Sequence, residues 1–265
     1  MLSLLGIYLA AGGLAGILAG LMGIGGGLVI VPILVFCFSL QDFDHVHIMH
    51  LALGTSLASI IFTSVSSFMA HHRRGAVHWD IVKHIVPGII VGTLLGAYLA
   101  SLTSTNVLKG FFGLFLYYVA LQFLLNKKSE ASRELPGSIG MFSAGNIIGI
   151  VSSLLGIGGG TLSVPFMMWC NVTVLHAIGT SAAIGFPIAI AGALGYVLTG
   201  LQTDGLPPFS MGYIYLPALL GIVGASMLTA PLGARLAHWL PVPRLKRIFA
   251  VLLLVVGSKM LLSLV

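Results

Sequence analysis

The sequence predicts an all-α polytopic membrane protein with two inverted-topology repeats, each a glycine-broken helical hairpin followed by three transmembrane helices. The first observation behind this prediction is composition: 58% of the 265 residues are hydrophobic and 7% are charged. Soluble domains carry about 25% charged residues, so the composition is typical of a membrane protein. The other observations are a glycine-rich phrase used twice and a reversal of loop charge between the halves.

The glycine-rich phrase occurs once in each half of the chain. Residues 23–27 read Gly-Ile-Gly-Gly-Gly before Pro32, and residues 156–160 read the same before Pro165. Four glycines in five residues are expected to break a helix, because glycine is a poor helix former. Tight packing between membrane helices is the alternative interpretation of these glycines. The phrase lacks the strand and the acidic partner of a dinucleotide-binding fingerprint.

Ten apolar runs predict the helices, five in each half. They cover residues 4–22, 28–40, 47–70, 81–101 and 107–125, then 139–155, 161–169, 174–200, 211–239 and 245–262. The predicted units are a first repeat (1–126), a cytoplasmic linker (127–137) and a second repeat (138–265). The second run of each half is shorter than the roughly 20 residues that span a membrane. Each glycine phrase is therefore expected at or near the tip of a hairpin that is fully spanning or re-entrant.

Other segments recur at matching places in the two halves. A Gly-Thr-Ser triplet at residues 54–56 returns at 179–181, and Leu-Lys at 108–109 returns at 245–246. The halves are therefore versions of one structural unit.

Loop charge predicts that the two repeats have opposite orientations. Residues 71–74 and 127–133 are basic and are expected in the cytoplasm, whereas 41–47 and 101–106 lack basic residues other than histidine. In the second half the basic loop is 244–247, which corresponds in the repeat to the uncharged 101–106. Both termini are then predicted outside a cell inner membrane. Such inverted repeats are typical of secondary transporters, whose sites form at the midplane.

The chemistry predicted at the glycine phrases is anion binding. A helix is expected to start after each phrase, at Leu28 or Thr161, and a helix N-terminus attracts anions through unpaired N–H groups. All six acidic residues fall between the apolar runs, so a carboxylate-based cation site is not predicted. Hydroxyls of the triplets add donors, although hydroxyls in membrane helices also commonly bond their own helix. The candidate substrate-binding residues are Gly25, Gly26, Gly27, Thr55, Ser56, Gly158, Gly159, Gly160, Thr161, Thr180 and Ser181.

Other classes of function receive little support from the sequence. Cys37 and Cys170 match no metal or disulfide spacing, and no catalytic triad, Walker loop or zinc pattern is present. An enzyme, a cofactor and a metal site are therefore not predicted. The net charge of +6 lies mostly in loops, which indicates membrane orientation rather than a nucleic-acid surface. The expected partners are a small anionic substrate and the lipid bilayer, and a homo-oligomer remains open.

At these residues the sequence resembles the sulfite exporter TauE/SafE family of membrane anion permeases. The resemblance rests on the two glycine phrases with their prolines and on the two Gly-Thr-Ser triplets, and it covers essentially the whole chain. It implies transport of sulfite or organosulfonates across a prokaryotic inner membrane, with export favoured. Leu28 in the first copy stands where the second has Thr161, so the two half-sites are expected to bind unequally.

Three functions remain open at this point. The leading hypothesis is a secondary transporter of small sulfur-containing oxyanions that works by alternating access. A channel or facilitator for another small anion or neutral solute is the alternative, and uphill flux would distinguish the two. A membrane scaffold is the third, and stabilisation by a solute would count against it.

Overall fold

The computed structural model describes residues 2–22, 26–125, 133–239 and 242–264. Within these residues the first half forms five helices: α1 (Leu2–Met22), α2 (Gly27–Ser39), α3 (Ile48–Arg73), α4 (Trp79–Ser101) and α5 (Thr105–Leu125). The second half forms α6 (Ser138–Leu155), α7 (Gly160–Trp169), α8 (Val174–Gly200), α9 (Leu216–Trp239) and α10 (Val242–Leu262). Helix interruptions at both glycine phrases agree with the prediction.

Five of the described helices are long and apolar enough to cross a membrane: α3, α4, α5, α6 and α8. The predicted ninth run is wrong at its start, because it began at Met211 and α9 begins at Leu216. The intervening residues form a short antiparallel pair, β1 (Ser210–Met211) with β2 (Ile214–Tyr215). Gly212 makes the tight connection with a φ of 55°, a left-handed conformation that glycine adopts without strain. The protein is therefore helical apart from this hairpin in the part that the structure describes.

Close helix seams join the two halves. The first helix of each half packs against the fourth helix of the other, α1 on α9 and α6 on α4. A Cβ on Gly96 of α4 would lie 2.7 Å from the carbonyl oxygen of Ile150, and one on Gly12 of α1 would lie 2.7 Å from the Cα of Ile222. Glycine permits these backbone approaches, as at many membrane helix interfaces. The halves are therefore interlocked rather than side by side.

Counterpart helices of the two halves pair with opposite directions. Gly54 of α3 contacts Tyr196 of α8, and Leu57 of α3 contacts Gly192 of α8, so the two helices run antiparallel. The fifth helices pair in the same way, through the contacts of Gly110 with Leu264, Gly113 with Leu261 and Gly257 with Tyr117.

Each end of the helix bundle gathers loops from both halves. At one end the rings of His78 and His176 are 4.4 Å apart, and the guanidinium of Arg133 lies 4.8 Å from the centre of the Trp169 ring. Arg133 precedes α6 and Trp169 ends α7, so this hairpin begins and finishes at the same end. At the opposite end, Nε2 of His50 lies 2.9 Å from the carbonyl oxygen of Ala100.

Cysteine labelling tests the orientation of these two ends. Single cysteines at Arg73 and Arg133 should react with an impermeant maleimide only from the cytoplasmic side, because basic loops stay in the cytoplasm. Cysteines at Ser104 and Asp204 should react only from outside. All four side chains are exposed and lie in loops or at a helix end. The two native buried cysteines are replaced in the background. Labelling of position 204 from the same side as position 73 would contradict the inverted orientation.

Candidate functional site

The two glycine phrases contact each other through backbone atoms. A Cβ on Gly27 would lie 2.7 Å from the carbonyl oxygen of Gly156 and 2.8 Å from the Cα of Ile157. Gly26 precedes α2 with a φ of 76°, a conformation that side chains other than hydrogen disfavour. Glycine is therefore required at both Gly26 and Gly27, and Gly25 lies outside the described residues.

The second glycine phrase presents a row of backbone N–H groups. α6 ends at Gly156, which has a φ of 60° and donates its N–H to the carbonyl of Ser153. The N–H groups of the next residues, from Gly158 to Thr161, meet no backbone acceptor among the described residues. α7 starts within this stretch, so its partial positive charge acts at the same place.

Thr161 adds a hydroxyl at this helix start. Its side chain is 9% exposed, and its Oγ1 is buried without a hydrogen-bond partner among the residues that the structure describes. A buried hydroxyl that lacks a partner costs about 1–3 kcal/mol, so a bound ligand that accepts its proton would be favoured. The counterpart in the first half is Leu28, which is 2% exposed and wholly apolar. The two half-sites therefore differ in chemistry.

Apolar side chains of α3 and α8 flank the second phrase. A Cβ on Gly159 would lie 2.9 Å from Cδ1 of Ile188, and one on Gly158 would lie 3.6 Å from Cγ2 of Ile60. Both isoleucines are buried, so they exclude water and raise the strength of electrostatic interactions nearby. The phrase lies opposite the middle of α8, well away from either end of that helix.

The serines of both triplets are committed to protein contacts around the second phrase. The hydroxyl of Ser56 donates to the carbonyl oxygen of Gly156 over 2.7 Å, so a helix of the first half positions the loop of the second. Ser181 lies 2.7 Å from the hydroxyl oxygen of Ser163, which donates to Gly159 O at 2.7 Å. A hydroxyl has one proton, so Ser163 donates to the Gly159 carbonyl or to the Ser181 hydroxyl at any one time.

The threonines of the triplets do not meet at the glycine phrases. Thr55 Oγ1 accepts the N–H of Tyr215 over 3.0 Å, and Thr180 Oγ1 accepts the N–H of His78 over 2.9 Å. These donors immediately precede α9 and α4. Burial raises the pKa of the Tyr215 phenol above its ordinary value, so the ring stays neutral. The structure brings the glycines, Ser56, Ser181 and Thr161 to one region and places the two threonines on either side of it.

Sequence reasoning missed several polar residues near this region. Ser163 was not a candidate, because it lies outside both the glycine phrase and the Gly-Thr-Ser triplet. Thr93, Ser152 and Ser153 are fully buried hydroxyls that have no hydrogen-bond partner among the described residues. The pair of adjacent serines, which two leucines separate from Gly156, was the available signal. The acidic residues of the described part, in contrast, are all exposed: Asp42, Asp44, Asp80, Glu134 and Asp204.

These features define a multi-pass α-helical membrane protein with its helices broken at two touching glycine phrases. The family model for Sulfite exporter TauE/SafE matches residues 8–260, and the chain belongs to this family of membrane transporters.

Curated relatives carry names of the same class. A probable membrane transporter protein of Haemophilus influenzae is 37% identical, and the alignment covers 97% of this chain and 98% of that protein. The probable membrane transporter protein YunE of Bacillus subtilis is 27% identical, with 96% of each chain covered. A probable membrane transporter protein of Methanocaldococcus jannaschii is 29% identical over 98% of this chain and 97% of its own. No solved structure gives a significant match.

Substitution of Gly27 by alanine tests the contact between the phrases. The added methyl would overlap the backbone of Gly156 and Ile157, and overpacking of this kind costs about 1–3 kcal/mol. The melting temperature of the purified protein should fall by several degrees. Gly13→Ala is the control, because its Cβ would meet its nearest neighbour, Thr229 Cγ2, at an ordinary 3.8 Å. Equal melting temperatures for the two variants would contradict a close backbone contact.

Proposed function

We propose that the chain is a secondary transporter of small sulfur-containing oxyanions such as sulfite or organosulfonates. The observation that carries the proposal is the start of α7. Backbone N–H groups and the buried hydroxyl of Thr161 occur together there, and none of them has a partner in the described part of the chain. Oxyanions present several acceptor oxygens, which suits a cluster of neutral donors. The exposed position of every described carboxylate removes a source of repulsion.

In this proposal the anion contacts the N–H groups from Gly158 to Thr161 together with the Thr161 hydroxyl. Gly26 and Gly27 close the other side of the loop. Ser56 holds the Gly156 carbonyl, and Ser181 contacts Ser163, which bonds the Gly159 carbonyl. The first half-site contributes packing and no side-chain donor at this position, because Leu28 replaces the threonine.

Alternating access is the mechanism that suits this arrangement best. The antiparallel pairing of α3 with α8 and of α5 with α10 supports two repeats of opposite orientation. The contact of the two phrases near the middle of α8 supports a binding site between those repeats. Rocking of one repeat against the other would then expose the anion to one side at a time. We place the protein in the cell inner membrane with both termini outside, and the family description favours export.

Sulfite binding to the purified protein tests the assignment. Sulfite should raise the melting temperature of the wild-type protein in a saturable way, because a ligand that binds only the folded state stabilises it. Thr161→Val should weaken this affinity about tenfold to a hundredfold, since a hydrogen bond to a charged group contributes about 1.5–3 kcal/mol. Asp204→Asn should change the affinity by a few-fold at most, because Asp204 is an exposed loop charge.

Flux in proteoliposomes completes this test. A proton or ion gradient should drive saturable sulfite movement against its own gradient, whereas a channel would dissipate the sulfite gradient only. Normal binding by Thr161→Val together with lost binding by Asp204→Asn would place the anion elsewhere. Stabilisation by carboxylates or halides alone would overturn the sulfur substrate.

A further inference from the structure

Each Gly-Thr-Ser triplet clamps the chain entering a helix of the other half. In the first clamp, Thr55 accepts the N–H of Tyr215 over 3.0 Å, and a Cβ on Gly54 would lie 3.1 Å from the carbonyl carbon of Tyr213. These contacts hold the residues immediately before α9. The glycine lets the two backbones approach, so the threonine next to it can reach an N–H group.

The second clamp repeats the same contacts with the halves exchanged. Thr180 accepts the N–H of His78 over 2.9 Å, and a Cβ on Gly179 would lie 2.9 Å from the carbonyl carbon of Ala76. These contacts hold the residues immediately before α4. In both clamps the threonine bonds the residue two places after the one that packs on the glycine. Equivalent atoms therefore perform the same task in each half.

The two clamps lie at opposite ends of the α3–α8 pair. The first clamp is next to Tyr196 of α8, and Tyr196 is about 24 Å along that helix from Thr180 at 1.5 Å per residue. The second glycine phrase lies between them, because Gly159 packs against Ile184 and Ile188 of α8. A solute at the phrase would have one clamp on the path to each side of the membrane.

We propose that Thr55 and Thr180 are positioning residues for the two gates of the transport cycle. This inference rests on the proposed function. Thr55 holds α9 closed over one side of the site, and Thr180 holds α4 closed over the other. In alternating access one clamp opens while the other stays formed. Neither threonine contacts the substrate, which revises the expectation that both would bind it.

A single hydrogen bond is a suitable device for this role. Its net contribution to a folded state is small, so it can break and re-form within a transport cycle. Loss of one clamp bond should shift the balance between the two access states about three- to tenfold. Because the clamps are equivalent, loss of the first and loss of the second should shift that balance in opposite directions.

The test uses two matched cysteine reporters in the full-length protein with its native cysteines replaced. Val77→Cys reports on the second clamp and Ile214→Cys on the first, since each occupies the middle position of a clamped segment. Labelling by a maleimide is compared in Thr55→Val, Thr180→Val and the control Thr63→Val. Thr63 is also on α3, but it bonds a carbonyl of its own helix.

We expect Thr55→Val to raise labelling at position 214 about three- to tenfold and to lower it at position 77. Thr180→Val should produce the reverse, and Thr63→Val should change neither rate. A merely structural bond would raise labelling at its own end and leave the other end unchanged, so the fall at the opposite end is decisive. Thr55→Ser and Thr180→Ser keep the hydroxyl, and they should restore wild-type rates.

Three results separate the possible failures. Changes confined to the mutated end would overturn the gate assignment, as would unchanged labelling in the valine variants. If a valine variant does not fold, sulfite-dependent labelling of the two reporters in the otherwise wild-type protein still tests the reciprocal change. If the labelling rates change reciprocally but sulfite does not stabilise the wild-type protein, the gate assignment stands and the proposed substrate is wrong.

Discussion

The contact between Gly27 and the backbone of Gly156 and Ile157 is the constraint on which the central region depends. Gly27 must lack a side chain here, since any Cβ on it would occupy the space of the opposing backbone. The helices around the contact are arranged in matching pairs, with α1 on α9 and α6 on α4. Glycine at the centre therefore lets two interlocked halves bring their broken helices together. The cost is a pair of helix ends in an apolar environment, which need donors and acceptors from neighbouring helices.

Packing is shared by the two halves, whereas polar chemistry is not. The Gly-Thr-Ser triplets make equivalent threonine bonds, and both glycine phrases interrupt a helix. Leu28 and Thr161 occupy equivalent positions but differ in their capacity to donate a hydrogen bond. The recurring contacts follow from similar packing of the corresponding helices in the two halves. Backbone N–H groups are present at both helix starts, and the difference at this one position adds a side-chain donor at the start of α7 only.

Much of the fold could be predicted because its signals are local. The two glycine phrases predicted both helix breaks, and the apolar runs predicted the bounds of the helices to within a few residues. The start of α9 was predicted too early, because the pairing of β1 with β2 depends on hydrogen bonds rather than on hydropathy. The hydrogen bonds of Thr55 and Thr180 were not predictable, since their backbone partners are distant in the sequence and are brought close only by the packing of α3 and α8.

The order of residues within the triplets has a physical reason. Glycine comes first because the entering chain lies too close for a Cβ, and threonine follows because the next position reaches that chain's N–H. Serine comes third, on a different side of the helix, where Ser56 reaches the glycine loop of the other half. One triplet therefore contacts both an entering segment and the region of the broken helices. A change in the packing of α3 or α8 would therefore alter the contact with the entering segment and the contact with the broken helices together, because the same helix turn makes both.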